Sequence, residues 1–212
     1  MRGPTYDLVE CKLSSVKHLF EKHHAYGGVG SCATYVFAVV ESGQPIAGYA
    51  WNPPPPSAAR SVCPEAPHAV LSLSRMVALP KSERKLKHIS KPLRRQMKFM
   101  IDRTRWPVLV TYSDEGLGHS GFVYQCSGWA KTSRRKVPQY ERDGVRTSTY
   151  SGGRHSLMGL KKIGHAYIQR WENWVCEPET VSDHMRAAGW KRVPIPGKFW
   201  KSGNQAHKWV KQ

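Results

Sequence analysis

The stretch VTYSDEGLGHSGFVYQCSGW, residues 110–129, begins like a buried strand, passes through a turn of small residues and restarts as a short helix. The turn carries Asp114 and His119, the helix carries Tyr124, and Gly128 is placed to end that helix. In α/β folds, ligand-binding and catalytic groups commonly lie where a strand passes into a helix. The stretch therefore predicts an α/β fold with a functional site at this corner.

Upstream of the corner, hydrophobic periodicity and turn residues predict alternating helices and strands. The run NPPPPSAARSVCPEAP is expected to be an exposed loop, because proline removes a backbone donor and fixes φ. Ser90 is placed to cap the helix that precedes the corner. The expected elements are a helix over 13–24, a hairpin over 33–52, a loop over 52–68, a strand over 68–80, a helix with apolar positions Ile89, Leu93, Met97, Met100 and Ile101, and a helix over 119–127.

The segment from Lys131 to Gly164 differs in composition from the rest of the chain. It is basic, rich in Gly, Ser and Thr, and contains only short β-like pieces, so we expect a loop or a hairpin. A chain of 212 residues is long enough to bury one sizeable core. We therefore expect one catalytic domain over residues 1–212, with this segment as an insertion at about 131–164.

Net charge is the strongest global feature of the sequence. The chain has 33 Lys and Arg against 15 Asp and Glu, a formal net charge of +18. This imbalance favours a polyanionic partner, with nucleic acid as the first candidate and a merely solubilising charge as the alternative. A membrane surface is disfavoured, because no amphipathic membrane helix accompanies the basic residues. Neither a signal peptide nor a long apolar run is evident, so we expect a cytoplasmic protein.

The order of elements resembles that of the GNAT acyltransferase superfamily. The run YQCSGW, from Tyr124 to Trp129, matches the Tyr-x-x-x-Gly-aromatic pattern that ends a helix of that fold. Together with LSRMVALP at residues 73–80, the corner and the basic charge, it is similar to the phage Mom family, best over residues 20–130. The resemblance implies a GNAT-like mixed central sheet flanked by helices. It also implies a transferase that places a carbamoylmethyl group on the N6 amine of adenine in phage DNA, which protects that DNA from host restriction.

The chemistry implied by the resemblance needs two kinds of group at the corner. The N6 amine is a poor nucleophile because its lone pair is delocalised, so it needs a hydrogen-bond acceptor, and the leaving group needs an acid. We interpret Asp114 as the acceptor and Tyr124 or His119 as the acid. The structural alternatives are a turn or N-cap role for Asp114, core packing for Tyr124 and helix capping for His119. Arg75, with Ser74 beside it, lies in an otherwise apolar strand and needs a carboxylate or a substrate phosphate as partner.

The donor of the transferred group is expected to bind at PKSERKLKHISKP, residues 80–92. GNAT proteins that bind coenzyme A usually carry a glycine-rich loop here, and this run contains no glycine. Phosphate binding would therefore depend on side-chain charge and on free amides at a helix start. Acetyl-CoA and an aminoacyl-tRNA carrying glycine both stay open as donors, and the second would make tRNA a partner. The candidate donor-binding residues are Lys81, Arg84, Lys85, Lys87 and Ser90.

The run HHAYGG, residues 23–28, follows the first predicted helix. Histidine and carboxylate side chains can hold a divalent iron or zinc ion. Adjacent histidines on a helix point in different directions, so at most one of this pair is expected to be a ligand. The Mom resemblance implies a divalent iron or another metal held by His24, Tyr26 and Asp114.

The run KTSRRKVPQYERDGVR, residues 131–146, combines cations with an aromatic side chain. Cations bind phosphates and an aromatic ring can stack on a base, so this run is the candidate interface for double-stranded DNA; a solvated loop is the alternative. Reaction at N6 generally requires the base to leave the stack, and Tyr49, Trp51 and Trp129 are candidates for lining its pocket. The alternative functions are a GNAT N-acetyltransferase acting on a protein or small amine, and a non-catalytic DNA-binding protein. The candidate DNA-binding residues are Arg134, Arg135, Lys136, Tyr140, Arg142 and Arg146.

Overall fold

The computed structural model describes residues 6–25, 33–142, 144–148, 159–199 and 205–212. This part of the chain contains ten β-strands and five α-helices. The strands are β1 (Asp7–Glu10), β2 (Tyr35–Glu41), β3 (Gln44–Asn52), β4 (Val70–Ala78), β5 (Val108–Asp114), β6 (Ala130–Arg142), β7 (Val145–Ser148), β8 (Lys161–Trp174), β9 (Trp190–Phe199) and β10 (Gln205–Lys211). The helices are α1 (Lys17–His23), α2 (Pro56–Val62), α3 (Ser90–Arg103), α4 (Phe122–Gln125) and α5 (Val181–Ala187).

Eight of the strands form one mixed sheet in the order β1-β2-β3-β4-β5-β8-β6-β7. Neighbouring strands are antiparallel except β4 and β5, which are parallel. β9 and β10 form a separate antiparallel ribbon toward the C-terminal end of the chain. The expected α/β fold with a GNAT-like mixed sheet flanked by helices is therefore confirmed.

Alternation along the strands gives the sheet two apolar faces. On one face, Val39 of β2 belongs to the same buried cluster as Leu93 of α3. On the other face, Val36 of β2 is buried in a cluster with Phe20 of α1. A further cluster joins α2 and α5 to Val70 and its neighbours on β4 and β5. Helices thus cover both faces of the sheet.

The sheet opens between its two parallel strands. β4 and β5 pair only over Val70–Ser72 and Val108–Val110 among the described pairs, so their C-terminal ends separate. The register between β3 and β4 also shifts at Ser74, which is an extra residue on β4. A bulge of this kind bends its strand and re-aims the adjacent side chains. The gap lies beside Asp114, at the corner where β5 ends.

The exposed loop predicted over 52–68 is wrong in its middle, which forms α2. Pro56 is the first residue of this helix, where a missing backbone N–H costs no hydrogen bond. Ala59 and Val62 are buried against the sheet. Alanine favours the helix, and burial of one helix side stabilises it further, so the proline run specifies a helix start.

The segment 131–164 is more regular than its composition predicts. It opens with β6, a strand of 13 residues that pairs with β8 along nearly its whole length. β7 then turns back on β6, so the hairpin alternative holds for the described part, and residues 149–158 lie outside it. The prediction of only short β-like pieces is wrong, because the backbone of β6 pairs with a strand about 30 residues further along the chain.

Three helix boundaries differ from the sequence prediction. The first helix is divided into a 3-10 turn over Leu13–Ser15 and α1. Ser90 does not cap α3: it is the first helical residue, and Ile89 occupies the N-cap position without a side-chain hydrogen bond. α4 is four residues long, because Gly121 before it adopts a left-handed φ of +75°. No described helix is both long enough and apolar enough to cross a membrane.

Candidate active site

A cavity of about 930 Å³ opens where β4 and β5 separate. Its wall is made by the ends of both strands, the turn after β5 and the first residues of α4. The volume falls in the range of substrate pockets, roughly 300–1,000 Å³. His24 at the end of α1 and Arg135 of β6 also line it. All five candidate catalytic residues are brought together here: Ser74, Arg75, Asp114, His119 and Tyr124.

Asp114 is buried at the end of β5 and makes the contact expected of a turn residue. Its Oδ1 accepts a hydrogen bond from the Gly116 N–H at 2.9 Å, which caps the 3-10 turn Glu115–Leu117. Its backbone oxygen accepts a second from the His119 N–H at 3.0 Å. The cap uses one of the four lone-pair positions of the carboxylate, and Asp114 also lines the cavity. The cap fixes the direction in which the carboxylate points.

Tyr124 is a buried residue of α4 whose side chain also lines the cavity. Its ring packs against Trp129 and Trp171, with ring centroids 6.0 Å away in each case. Its hydroxyl hydrogen-bonds to the side chain of Thr111, which donates to the Leu73 carbonyl at 3.0 Å. Burial raises the pKa of Tyr124, and the Thr111 hydrogen bond opposes this only in part. The phenol therefore stays protonated at neutral pH, as a general acid must.

The two histidines at the cavity lie in different surroundings. His119 is exposed and does not cap α4, so its predicted capping role is wrong; the Ser120 Oγ accepts the Phe122 N–H at 3.3 Å instead. His24 ends α1, and its pKa is lowered to about 4, first by burial and then by the charges of Arg75 and His119. Its imidazole is thus neutral at neutral pH and can donate or accept one hydrogen bond at each nitrogen.

Ser74 and Arg75, at the β4 bulge, have different hydrogen-bond partners. The Ser74 hydroxyl donates to the Ala50 carbonyl at 2.9 Å and accepts from the Asn52 amide at 3.2 Å, so it holds β4 to β3. Arg75 is half-buried, and its Nη1 donates to the Ser74 carbonyl at 2.8 Å. This bond orients the guanidinium of Arg75 beside the cavity that it lines.

The aromatic residues predicted to line the base pocket lie in the core instead. Tyr49 and Trp51 are fully buried and Trp129 nearly so, and none of the three lines the cavity. Trp51 stacks on Trp129 with ring centroids 6.3 Å apart and donates its indole N–H to Gln96. All three side chains belong to the buried cluster on the face of the sheet that α3 covers. That prediction is wrong.

The predicted donor-binding loop lies outside the cavity, and part of it is occupied by protein groups. The Arg84 guanidinium donates to the carbonyls of Leu79 and Leu86. The buried Glu41 carboxylate accepts the N–H groups of Lys85 and Leu86, at 2.8 and 2.5 Å. A pyrophosphate cradle needs such amides free for the ligand. The loop therefore does not fit a pyrophosphate. Of the other predicted donor-binding residues, Lys81, Lys85 and Lys87 are exposed, and Ser90 begins α3.

The predicted DNA-binding residues are on the basic hairpin of β6 and β7. Arg134 pairs with Glu115 and lies over the Tyr167 ring at 3.6 Å, whereas Arg135, the next residue, lines the cavity. Lys136 is exposed and Tyr140 half-buried. Arg142 ends β6, and Arg146 of β7 lies 3.7 Å from the Glu141 carboxylate. The hairpin thus carries its cations up to the cavity wall.

The predicted metal ligands are only partly within the described structure. His24 and Asp114 both line the cavity, and Tyr26 lies outside the described residues. Within the described ranges, no three His, Cys, Asp or Glu side chains are grouped closely enough to hold an ion. The neutral His24 imidazole is a suitable ligand in its protonation state. The trio stays a prediction.

Two features of the site were not found from the sequence. Phe122 is 67 % exposed and lines the cavity, although a phenylalanine in an apolar helix predicts a core position. Gly121 packs against Trp171: a Cβ on it would lie 2.3 Å from the indole ring, and its φ is +75°. The Trp171 Nε1 in turn donates to the Ser113 Oγ at 2.9 Å. The only sequence signal for these two features is the pair Gly121–Phe122 directly after a turn. A glycine there permits close packing, and the residue after it can be exposed.

Comparison with known proteins gives one family match. A model of the Mom protein family matches residues 6–174. The chain belongs to the Mom protein family. The match includes the cavity, the corner and the basic hairpin, and ends at β8, before α5 and the β9–β10 ribbon. No curated protein matches the chain.

Solved structures with the same fold are acetyltransferases at low sequence identity. An N-acetyltransferase from Staphylococcus aureus Mu50 is 11 % identical with a TM-score of 0.54, over 81 % of this chain and 99 % of that one. A ribosomal-protein-S5-alanine acetyltransferase from Vibrio fischeri is 10 % identical with a TM-score of 0.52, over 84 % and 97 %. A GNAT family acetyltransferase from Elizabethkingia anophelis, with acetyl-CoA bound, is 9 % identical with a TM-score of 0.50, over 80 % and 97 %. This Mom family protein therefore has a GNAT-like fold, and fold and family together indicate a transferase.

Proposed function

We propose that this Mom family protein modifies adenine in double-stranded DNA, transferring a carbamoylmethyl group to the N6 amine and so protecting phage DNA from host restriction. The observation that carries the proposal is one cavity lined by the buried Asp114, the protonated Tyr124 and a cation of the basic hairpin, Arg135. An acetyltransferase of small amines has no need of a cationic strand at the wall of its cavity. A net charge of +18 supports a polyanionic substrate.

Asp114 and Tyr124 have complementary roles in the proposed reaction. Asp114 accepts a hydrogen bond from the N6 amine, localises its lone pair and takes its proton as the new bond to nitrogen forms. Tyr124 donates its proton to the departing group of the donor, which its raised pKa permits at neutral pH. The Gly116 N–H on Asp114 and the Thr111 side chain on Tyr124 hold the two groups in place.

Arg75 and His119 are the supporting polar groups of the proposed site. The Arg75 guanidinium is oriented by the Ser74 carbonyl and binds an anionic group of the substrate. His119 is exposed at the cavity mouth and is the second candidate for the acid. Divalent iron or another metal held by His24, Tyr26 and Asp114 would act as a Lewis acid in this cavity.

Phe122 supports the removal of adenine from the base stack. Its ring is exposed at the cavity, two residues before Tyr124 in the chain and one residue after the left-handed Gly121. Proteins that open a duplex commonly insert an apolar side chain between bases, which offsets the lost stacking. An exposed phenylalanine is otherwise unfavourable in water. We assign Phe122 to the gap that the extruded adenine leaves.

The donor is proposed to be held by charge, because the loop at 80–92 does not fit a coenzyme A pyrophosphate. Glu41 accepts two of the amides that a phosphate would need, and its own charge would repel one. Exposed lysines at positions 81, 85 and 87 suit a larger polyanion, such as an aminoacyl-tRNA. Acetyl-CoA, which is bound in the Elizabethkingia anophelis structure, carries an acetyl group without an amide nitrogen, so it is the donor only for the N-acetyltransferase alternative.

Mass spectrometry of nucleosides tests the proposal. DNA from cells expressing the protein should contain a deoxyadenosine heavier by a two-carbon amide group, and DNA from cells expressing Asp114→Asn should contain little or none. An acetylated protein or small amine together with unmodified DNA would instead establish the acetyltransferase alternative. DNA binding with no modified nucleoside in any growth condition would establish a non-catalytic DNA-binding protein.

A further inference from the structure

A second cavity, of about 460 Å³, lies between the family-matched part of the chain and the C-terminal β9–β10 ribbon. One wall is formed by His68, which precedes β4, and by Arg105 and Trp106, which precede β5. The ribbon forms the other wall. The family match ends at residue 174, before the ribbon. One wall of the cavity is thus supplied by a part of this chain that the family model does not include.

The wall of the second cavity is cationic. Arg105, Arg192 and Lys208 line it, and none of its described lining residues is acidic. Arg105 is half-buried, and burial lowers its pKa to about 10, so it is still charged at neutral pH. Arg192 and Lys208 are exposed, so their charged groups stay hydrated when no ligand is bound. Three cations around one cavity, with no carboxylate among its described lining residues, are suited to a phosphate group.

The same cavity has aromatic surfaces. His68 stacks on Trp209 with ring centroids 4.9 Å apart, and the Arg105 guanidinium lies 3.7 Å over the Trp106 ring. The His68 Nε2 is inaccessible to solvent and has no hydrogen-bond partner among the described residues. A buried nitrogen of this kind is costly unless a ligand or water satisfies it. Rings, cations and an unsatisfied nitrogen together match a nucleotide, which has a base face and a phosphate.

The two cavities share a wall. Pro53 and Pro54 line both of them, so the proline run separates the candidate active site from the second cavity by a ridge two residues wide. Proline offers a stiff surface without a backbone donor, over which a strand of nucleic acid can pass. A polynucleotide bound in one cavity can therefore continue into the other.

We infer that the second cavity binds a nucleotide of the DNA substrate that lies outside the target adenine, with its phosphate on Arg105, Arg192 and Lys208 and its base against the His68–Trp209 surface. This inference rests on the proposed function for the identity of the polynucleotide. It assigns to the β9–β10 ribbon the role of holding DNA in register while the adenine occupies the first cavity. A donor tRNA is the competing occupant.

The test compares two double variants that remove the same charge. Arg192→Ala with Lys208→Ala changes only exposed side chains of the ribbon. The control, Arg94→Ala with Lys98→Ala, removes two exposed cations of α3, which line neither cavity. Binding to duplex DNA is measured by fluorescence anisotropy across a salt series, without any donor, so the readout does not depend on modification. Circular dichroism melting establishes that both variants are folded like the parent.

Each phosphate contact contributes about 0.9 to the slope of log affinity against log salt concentration. The ribbon variant should therefore lose about one from this slope, because the single bound phosphate loses two of its three cations, and the control should lose none. The parent should also bind long duplexes more tightly than duplexes limited to the target site, and the ribbon variant should lose that advantage. Equal slopes for the two variants, or a slope lost for tRNA and kept for DNA, would overturn the inference. Modified adenine plays no part in these outcomes, so failure of the proposed reaction is detected separately.

Discussion

Arg134 donates two hydrogen bonds to Glu115, from Nε at 2.9 Å and from Nη2 at 2.7 Å. This bidentate pair joins β6 to the turn that carries the active-site corner, and Gln169 of β8 donates to the same carboxylate. Adjacent residues of a strand face opposite sides, and Arg135 accordingly lines the cavity. Two neighbouring arginines of one basic run thus have different surroundings: Arg134 holds the turn, and Arg135 lines the cavity.

The first prediction separates these arginines. Arg135→Ala should weaken DNA binding and lower the salt slope by about one, because one phosphate contact is lost. Arg134→Ala should change the slope less, because its charge is already paired with Glu115. Filter binding or anisotropy across a salt series measures both. Equal losses would show that the ion pair opens when DNA binds.

Replacing Arg134, Arg135 and Lys136 together should weaken binding most, with the fold retained.

The second prediction concerns pH. Hydrogen bonds from Arg134 and Gln169 lower the pKa of Glu115 from its usual 4.5 to about 2. A carboxyl whose pKa is depressed in the folded state stabilises the protein above its unfolded pKa, and the stabilisation is lost as pH falls. Glu115→Gln should therefore melt below the parent at pH 6, with the difference shrinking between pH about 4.5 and 2. A difference that is constant over that range would contradict the ion-pair assignment.

The third prediction tests the two proposed catalytic groups. Asp114→Asn keeps an oxygen for the Gly116 N–H, and Tyr124→Phe keeps the ring that packs on Trp129 and Trp171. Both variants should fold and bind DNA, and each should lose roughly a hundredfold to ten-thousandfold in modification rate. Restriction digestion of DNA from expressing cells, with nucleoside analysis, gives the readout. If both variants still protect the DNA, the active site must be sought at His24 and Arg75.

The fourth prediction concerns Phe122. Phe122→Ala removes an exposed ring, so folding should be unaffected. Modification of a paired adenine should fall, because nothing fills the gap in the stack, whereas an adenine opposite an abasic position should be modified at the parental rate. A duplex with 2-aminopurine at the target position should brighten less on binding the variant than on binding the parent. Equal losses on paired and unpaired targets would place Phe122 in substrate contact and reject the wedge.

The fifth prediction concerns the donor. Because Glu41 accepts the Lys85 and Leu86 amides, a titration of the protein with acetyl-CoA in a calorimeter should show weak binding or none. Aminoacylated tRNA should bind with an affinity that falls steeply with salt. Tight acetyl-CoA binding would restore the thioester as donor, and Glu41→Gln should then tighten it further by removing a negative charge near the phosphates.

Much of the local structure of this protein could be predicted from its sequence. Strand periodicity, the glycines of the corner and the spacing from Tyr124 to Gly128 specify β5, α4 and the residues between them, since each depends on neighbours within one turn or one strand. The apolar stripe of α3 is also local, and its Leu93, Met97 and Met100 are buried as the spacing predicts. The mixed sheet was implied by the resemblance of the order of these elements to the GNAT fold.

The tertiary structure alone decided how distant segments meet. β6 is almost devoid of apolar residues and becomes a strand because β8 satisfies its backbone, a pairing that no local pattern encodes. The same pairing separates Arg134 from Arg135, and the face of the sheet buries Tyr49, Trp51 and Trp129 while Phe122 stays exposed. The sequence predicts a role for each of these side chains except Phe122. Whether a side chain reaches the cavity depends on the register of its strand and on the face of the sheet to which it points. Pairing between distant strands and burial of one face determine these two properties.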